Sequence, residues 1–167
     1  MKHVVILFDE QDEQVAERLE KALALMQHRG ELKTYSRLHI LPGQNVEQVI
    51  TRQQQLSEVS VVVLSIDLNQ EVIFNLIERH RKGETDLFIV YANYVDEELI
   101  NEFTRHRIPV TPIMPIAQYQ NQDFAYQKIT RAIRRHIAKG STQPKQQKTL
   151  KRKLLILLAA RRKINNG

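Results

Sequence analysis

The sequence predicts an α/β domain: a flavodoxin-like, five-stranded parallel sheet in the order 2-1-3-4-5, with helices on both faces. Three observations predict it. Apolar, strand-like runs alternate five times with segments of helical periodicity. The strongest run, Val59–Ile66, shows no polar alternation, as expected of a strand covered on both faces. Strands joined through helices need crossover connections, which set them parallel, and five such strands favour the doubly wound order.

The first half of the chain supplies two strands and the helix between them. Val4–Phe8 is a continuous apolar run that ends in an acidic loop, and we interpret it as the first strand. Apolar positions recur at helical spacing over Asp12–Arg29, with Asp12 as the N-cap and Gly30 as the stop. Leu32–Tyr35 is a short second strand.

The middle of the chain holds the predicted centre of the sheet. Leu41-Pro42-Gly43-Gln44 is a turn signal, and a polar helix follows from Val46 to Gln53. Val59–Ile66 is rich in β-branched residues and should lie between the first and fourth strands. Glu71–Arg81 is the next helix, and Gly83 ends it.

The remaining elements complete the alternation. Leu87–Tyr91 is the fourth strand and Glu97–Arg105 a short helix. Val110–Ile116 is an edge strand, since prolines at 109, 112 and 115 cannot donate to a ladder on both sides. Phe124–Ala138 is the last helix of the domain.

Charge divides the chain into a neutral body and a basic end. The whole chain carries a net charge of +6, but residues 140–167 contain eight Lys or Arg and no acid, which leaves 17 basic against 19 acidic residues in 1–139. We therefore predict an α/β domain over 1–139, a flexible linker over 140–148 and a basic amphipathic helix or tail over 149–167.

The basic tail limits the partners to expect. Lys151–Lys163 sets apolar residues between two basic clusters, which suits an acidic partner or an anionic membrane surface. Packing of the segment on its own domain or on a neighbouring copy is the alternative. Nucleic acid is not expected as a partner, because no aromatic residues that could stack on nucleobases lie among the Lys and Arg residues of this segment. The chain enters a strand-like run directly after Met1 and has no cysteine, so we expect no signal peptide and a cytoplasmic location.

Other chemistries have weaker signals. Asp9, Glu10, Asp12 and Asp67 resemble the carboxylates of a response-regulator receiver, but the lysine that such a site needs after the fifth strand is missing from Ile113–Ile116. The alternative is that these acidic residues form a loop that caps the following helix. The six His residues have no paired metal spacing, so we predict no metal site and no cofactor.

Four stretches resemble a Toll/interleukin-1 receptor (TIR) domain, in the same order along the chain. They are His3–Phe8 with its acidic loop, Ile40-Leu41-Pro42-Gly43-Gln44, Val61–Ser65 and, as in bacterial members, Asn121-Gln122-Asp123. The resemblance covers about residues 3–138. It implies an interaction and signalling module, typical of bacterial immune or conflict systems. Such a module self-associates or docks on other TIR domains through the loop Leu41, Pro42, Gly43 and Gln44.

The same resemblance implies an alternative, an NAD hydrolase that cleaves the nicotinamide–ribose bond. The family's enzymes place a Glu near the start of the helix after strand three, which here is Glu71. A carboxylate beside the ribose stabilises an oxocarbenium-like transition state. NAD would then be a substrate held by Phe8, Asp9 and Ser65, in a pocket shared with Glu71.

The sequence departs from the enzymatic pattern. It has no Trp, Leu7-Phe8 replaces the family's Ser-Tyr, and Arg37-Leu38-His39 replaces the acidic residue before the loop. The stretch after Ser65 is shortened, so that the position of the family's Glu falls near Glu71 or Val72. The leading hypothesis is therefore the interaction module.

Overall fold

A computed structural model describes residues 1–140 and contains one parallel sheet of five strands. Its order is β2-β1-β3-β4-β5, and all four pairings are parallel, which confirms the predicted fold class. The strands are β1 (Lys2–Leu7), β2 (Leu32–Ser36), β3 (Val59–Leu64), β4 (Asp86–Tyr91) and β5 (Val110–Thr111).

Strand β3 lies at the centre of the sheet, as its composition predicted. Its register with β1 places Val59 opposite Val4, and its register with β4 places Val59 opposite Asp86. All six residues of β3 are buried. The predicted strand was two residues too long at its carboxyl end. Ser65 turns out of the ladder, and Ile66 is 78% exposed, because the chain leaves the sheet there for the next helix.

Residues 1–140 also form six α-helices: α1 (Glu13–Ala22), α2 (Ala24–His28), α3 (Val46–Leu56), α4 (Gln70–Arg81), α5 (Glu97–Arg105) and α6 (Gln122–Gly140). The single helix predicted over Asp12–Arg29 is wrong in detail, because it breaks at Leu23 into α1 and α2. Leu23 and Met26 are both buried, so the apolar pattern continues across the break and does not reveal it.

The core has a layer on each face of the sheet. Val5 and Leu7 of β1 join a buried cluster with residues of α4 and with Phe103 of α5. Side chains alternate along a strand, so Val4 and Ile6 face the opposite side, where they are equally buried. These two layers account for the burial of every residue of β3.

The edge strand was predicted too long. β5 pairs with β4 only through Val110 and Thr111. Pro112 follows at once and has no N–H to continue the ladder. Ile113 is then 97% exposed, although the sequence pattern placed it in the strand.

The chain divides into two compact units, Met1–Ile133 and Arg134–Gly167. The first contains the sheet, and the described part of the second is the end of α6, over 134–140. Gly140, predicted as the first linker residue, is the last residue of α6. The rest of the predicted linker and the tail with Lys151–Lys163 lie outside the described residues. Within residues 1–140, no helix has the length and apolar character to cross a membrane.

Candidate functional site

A buried carboxylate links the loops that follow β1 and β3, where the strand order reverses. Asp12 ends a 3₁₀ turn at Glu10–Asp12, and its carboxylate accepts a hydrogen bond from the Ser65 hydroxyl. Asp12 is 8% exposed and Ser65 2%. The sequence predicted Asp12 as the cap of α1, and it does hold that position, but its side chain makes no capping hydrogen bond. It points into the protein instead.

The environment of Asp12 raises its pKa above the ordinary value of 3.8. Burial is the largest cause, because removal from water disfavours the charged form. The hydrogen bond from Ser65 acts in the opposite direction, and the negative charges of Asp67 and Asp9 add to the rise. Asp9 itself caps the 3₁₀ turn, its carboxylate accepting the Gln11 N–H at 3.0 Å.

A groove of about 720 Å³ opens between the segment that follows β1 and the turn that follows β2. Its lining residues come from the loop after β1, the first two turns of α1 and the turn after β2: Phe8, Glu10, Gln11, Glu13, Glu17, Arg37 and Leu38. Arg37 and Glu10 form an ion pair across it at 2.5 Å. Because Glu13 and Glu17 add two more carboxylates, the groove favours a cationic group over an anionic one.

The residues predicted to hold NAD are only partly brought together. Phe8 lines the groove, and Asp9 lies next to it in the chain, but Ser65 faces Asp12 in the interior. Glu71 lies in the first turn of α4, is exposed, and its backbone N–H donates to the Asn69 carboxamide at 2.9 Å. Neither Glu71 nor Ser65 lines the groove. A pocket shared by these residues stays a prediction.

The loop Leu41–Asn45 is exposed throughout. The Gln44 N–H donates to the Leu41 carbonyl at 3.2 Å, and the Gln44 side-chain oxygen accepts the Leu41 N–H at 3.0 Å. Gly43 has a φ of 89°, which only glycine adopts without strain at the third position of such a turn. The turn thus satisfies its own backbone while Leu41 stays 66% exposed.

Both ends of this loop are anchored. Before it, the Ser36 N–H donates to His39 Nδ1 at 3.0 Å, and the Ser36 hydroxyl accepts the Leu38 N–H at 3.2 Å. After it, the Asn45 side chain caps α3 by accepting the Gln48 N–H at 3.1 Å. The loop is therefore a preformed turn that presents an apolar side chain.

Arg37 is the site residue that the sequence analysis failed to assign. It was noted only as a departure from a family pattern, whereas the structure pairs it with Glu10. The predicted strand order contained the necessary signal, because it makes β1 and β2 neighbours and so brings together the loops that follow them. Within the described part of the chain, no three His, Asp or Glu side chains converge in a way that could hold a metal ion.

No protein-family model and no curated protein matches the sequence. Among solved structures, one similar chain is a 2-deoxyribosyltransferase from Bacillus psychrosaccharolyticus. The two chains are 8% identical with a TM-score of 0.39, and the match covers 67% of this chain and 99% of the other. A likeness this distant carries no conclusion about function, so the functional argument depends on the geometry described above.

Proposed function

We propose that this chain is a TIR-like interaction and signalling module of a bacterial immune or conflict system, which acts by self-assembly or by docking on another TIR domain. The observation that carries the proposal is the preformed loop Leu41–Asn45, with its exposed apolar residue. A cytoplasmic location is part of this proposal.

The rigidity of the loop is what favours binding. Ordering a flexible loop on association costs free energy, and a turn that is already closed by its own hydrogen bonds avoids most of that cost. Leu41 offers apolar surface that gains free energy when a partner covers it. Pro42 restricts the backbone before Gly43, which keeps the turn in one conformation in the free protein.

The geometry around Ser65 and Glu71 gives less support to NAD cleavage. The Ser65 hydroxyl is buried and already donates to Asp12, so it is not available to a ribose. Glu71 is exposed to water, an environment that does not strengthen electrostatic stabilisation of a cationic transition state.

The test is self-association of the full chain, measured by sedimentation velocity over a range of protein concentrations. Leu41→Ala removes the exposed side chain without disturbing the turn, so we expect it to weaken association and leave the melting temperature unchanged. Phe74→Ala is the matched control, since Phe74 is a large apolar residue, 55% exposed, on α4. It should associate as the wild type does.

A second variant separates a contact role from a structural one. Gly43→Ala places a side chain at positive φ, with no atom within 4 Å of the new Cβ, so the only cost is backbone strain in the loop. We expect association to fall more than stability. Unchanged association with a lowered melting temperature would show that the turn is purely structural.

A further inference from the structure

A histidine closes the turn that leads into the loop Leu41–Asn45. His39 is the last residue of a 3₁₀ turn, Arg37–His39, and its Nδ1 accepts the Ser36 N–H at 3.0 Å. Because a backbone N–H only donates, this Nδ1 carries no proton, and the proton of the neutral ring lies on Nε2. The Ser36 hydroxyl accepts the Leu38 N–H at 3.2 Å, and these contacts form a capping box that holds the turn.

The second ring nitrogen of His39 faces a carboxylate on α1. His39 Nε2 lies 4.0 Å from Glu20 Oε1, which is too far for a hydrogen bond. The other carboxylate oxygen, Glu20 Oε2, accepts the Thr34 hydroxyl at 2.6 Å and a Gln27 side-chain N–H at 3.4 Å. Within residues 1–140, Glu20 Oε1 is buried and accepts no hydrogen bond. One half of this carboxylate is therefore fixed by neighbours, and the other half is an acceptor that lacks a donor.

The His39 ring is the nearby group that can satisfy this acceptor. A buried acceptor without a hydrogen bond destabilises the protein, and more so when it carries charge. His39 Nε2 needs to approach Glu20 Oε1 by only about 1 Å to reach hydrogen-bonding distance. In the described part of the chain, the other titratable side chain against the ring is Tyr35 of β2, with 5.5 Å between ring centroids. Tyrosine stays neutral where histidine titrates, and Arg37 in the same turn pairs with Glu10, so the charge that His39 faces is that of Glu20.

Protonation changes which of these two contacts the ring can make. A second proton can be added only at Nδ1, and an N–H at that position faces the Ser36 N–H as donor against donor, so the capping hydrogen bond is lost. The charged ring is attracted to the Glu20 carboxylate, where its Nε2–H makes a charge-assisted hydrogen bond to Oε1. The neutral ring therefore belongs on Ser36 and the charged ring on Glu20. Histidine is the side chain that ordinarily changes charge between about pH 5 and pH 8.

We propose that His39 is a pH-sensitive switch for the loop Leu41–Asn45: the neutral ring holds the turn before the loop, and the protonated ring leaves Ser36 for Glu20 and loosens it. This inference rests on the proposed function, because the switch acts on the loop through which copies associate. A loosened loop must be ordered again when a partner binds, and that ordering opposes association. Acidification therefore weakens self-association, while the sheet and its core stay folded.

The first test compares self-association of the full chain at about pH 7.5 and about pH 5.5 by sedimentation velocity. Loss of one capping hydrogen bond corresponds to about a fivefold change in an equilibrium constant, so wild-type association should be about fivefold weaker at the lower pH. His39→Gln keeps an oxygen that can accept the Ser36 N–H and has no charge to gain, so its association should match the wild type at the higher pH and not weaken at the lower. His39→Ala has no acceptor and should associate about fivefold more weakly at both.

A second histidine provides the matched control. His80 on α4 also accepts a backbone N–H at Nδ1, from Leu87 at 3.1 Å, but it belongs to the connection between α4 and β4. His80→Gln should therefore keep the wild-type response of association to pH. A nuclear magnetic resonance titration of the monomer, with ¹⁵N-labelled protein, reads the switch without association. The Ser36 amide signal should shift together with the His39 ring nitrogens as pH falls, and in Glu20→Gln this shift should need more acid.

The outcomes separate this inference from the proposed function. If the wild type associates equally at both pH values, or if His39→Gln weakens on acidification as the wild type does, the switch is wrong and the interaction loop stands. If the wild type stays monomeric at every concentration, self-assembly fails, and the titration alone decides the switch. A Ser36 amide that does not move as the His39 ring gains its proton would overturn the inference in either case.

Discussion

Substitution of Ser65 by alanine tests the buried carboxylate most sharply. Ser65→Ala leaves the Asp12 carboxylate buried without its donor, and no cavity larger than one hydroxyl is created. A hydrogen bond to a charged group contributes about 1.5–3 kcal/mol to stability. At about 4 °C per kcal/mol for a domain of this size, the melting temperature at pH 7 should fall by about 6–12 °C. The assay is thermal and urea unfolding followed by circular dichroism.

Ser60→Ala is the matched control, because Ser60 lies in β3, the strand that leads to Ser65, and is also buried. The Ser60 hydroxyl bonds the Thr85 hydroxyl at 2.8 Å, a pair without charge, so its loss should cost only about 0.5–1.5 kcal/mol. Equal stability of Ser65→Ala and the wild type at pH 7 would refute the account of Asp12.

The raised pKa of Asp12 determines how the stability of the protein should change with pH. The folded state raises the pKa of Asp12 above 3.8, so it holds that proton more tightly than the unfolded chain does. The stabilising contribution of Asp12 is therefore full below the unfolded pKa and is lost as pH rises through the folded pKa. Ser65 bonds the ionised form, so the deficit of Ser65→Ala should shrink as pH falls toward 4. The Ser60→Ala deficit should not change with pH.

Two further substitutions test the same structure. Asp12→Asn removes the buried charge and keeps an oxygen that accepts from Ser65, so it should stabilise the protein at pH 7, with the gain vanishing toward pH 4 in urea titrations. Phe103→Ala removes a side chain that is 0% exposed, in the core layer formed with α5. It should lower the free energy of unfolding by about 3–5 kcal/mol in the same titrations, and a loss of less than about 1 kcal/mol would contradict the assigned core.

The strand order was predictable because a strand that is buried on both faces of the sheet is composed almost entirely of apolar residues. Val59–Leu64 is apolar except for Ser60 and lies at the centre, while the proline-flanked Val110–Thr111 lies at the edge. The break at Leu23 was not predictable, since both sides of it present apolar residues at the same spacing. The length of β5 was overestimated because apolar Ile113 and Met114 are exposed in the loop instead of buried in the sheet.

Side-chain direction at the site was harder to predict than position. The sequence places Asp12 at a helix start, where a cap is the usual outcome. Its turn toward Ser65 depends on the distance between two loops that are 53 residues apart, which no local pattern encodes. The exposed turn at Pro42-Gly43 was predictable, because proline and glycine at its two central positions favour this turn type.

Nicotinamide release from NAD distinguishes the proposed interaction module from the alternative, an NAD hydrolase that uses Glu71. The wild type is incubated with NAD at protein concentrations where sedimentation velocity shows association, so that the assembled form is also assayed. The account predicts no release above a protein-free blank, and the same result for Glu71→Gln. Release by the wild type that Glu71→Gln abolishes would contradict the account and establish the hydrolase.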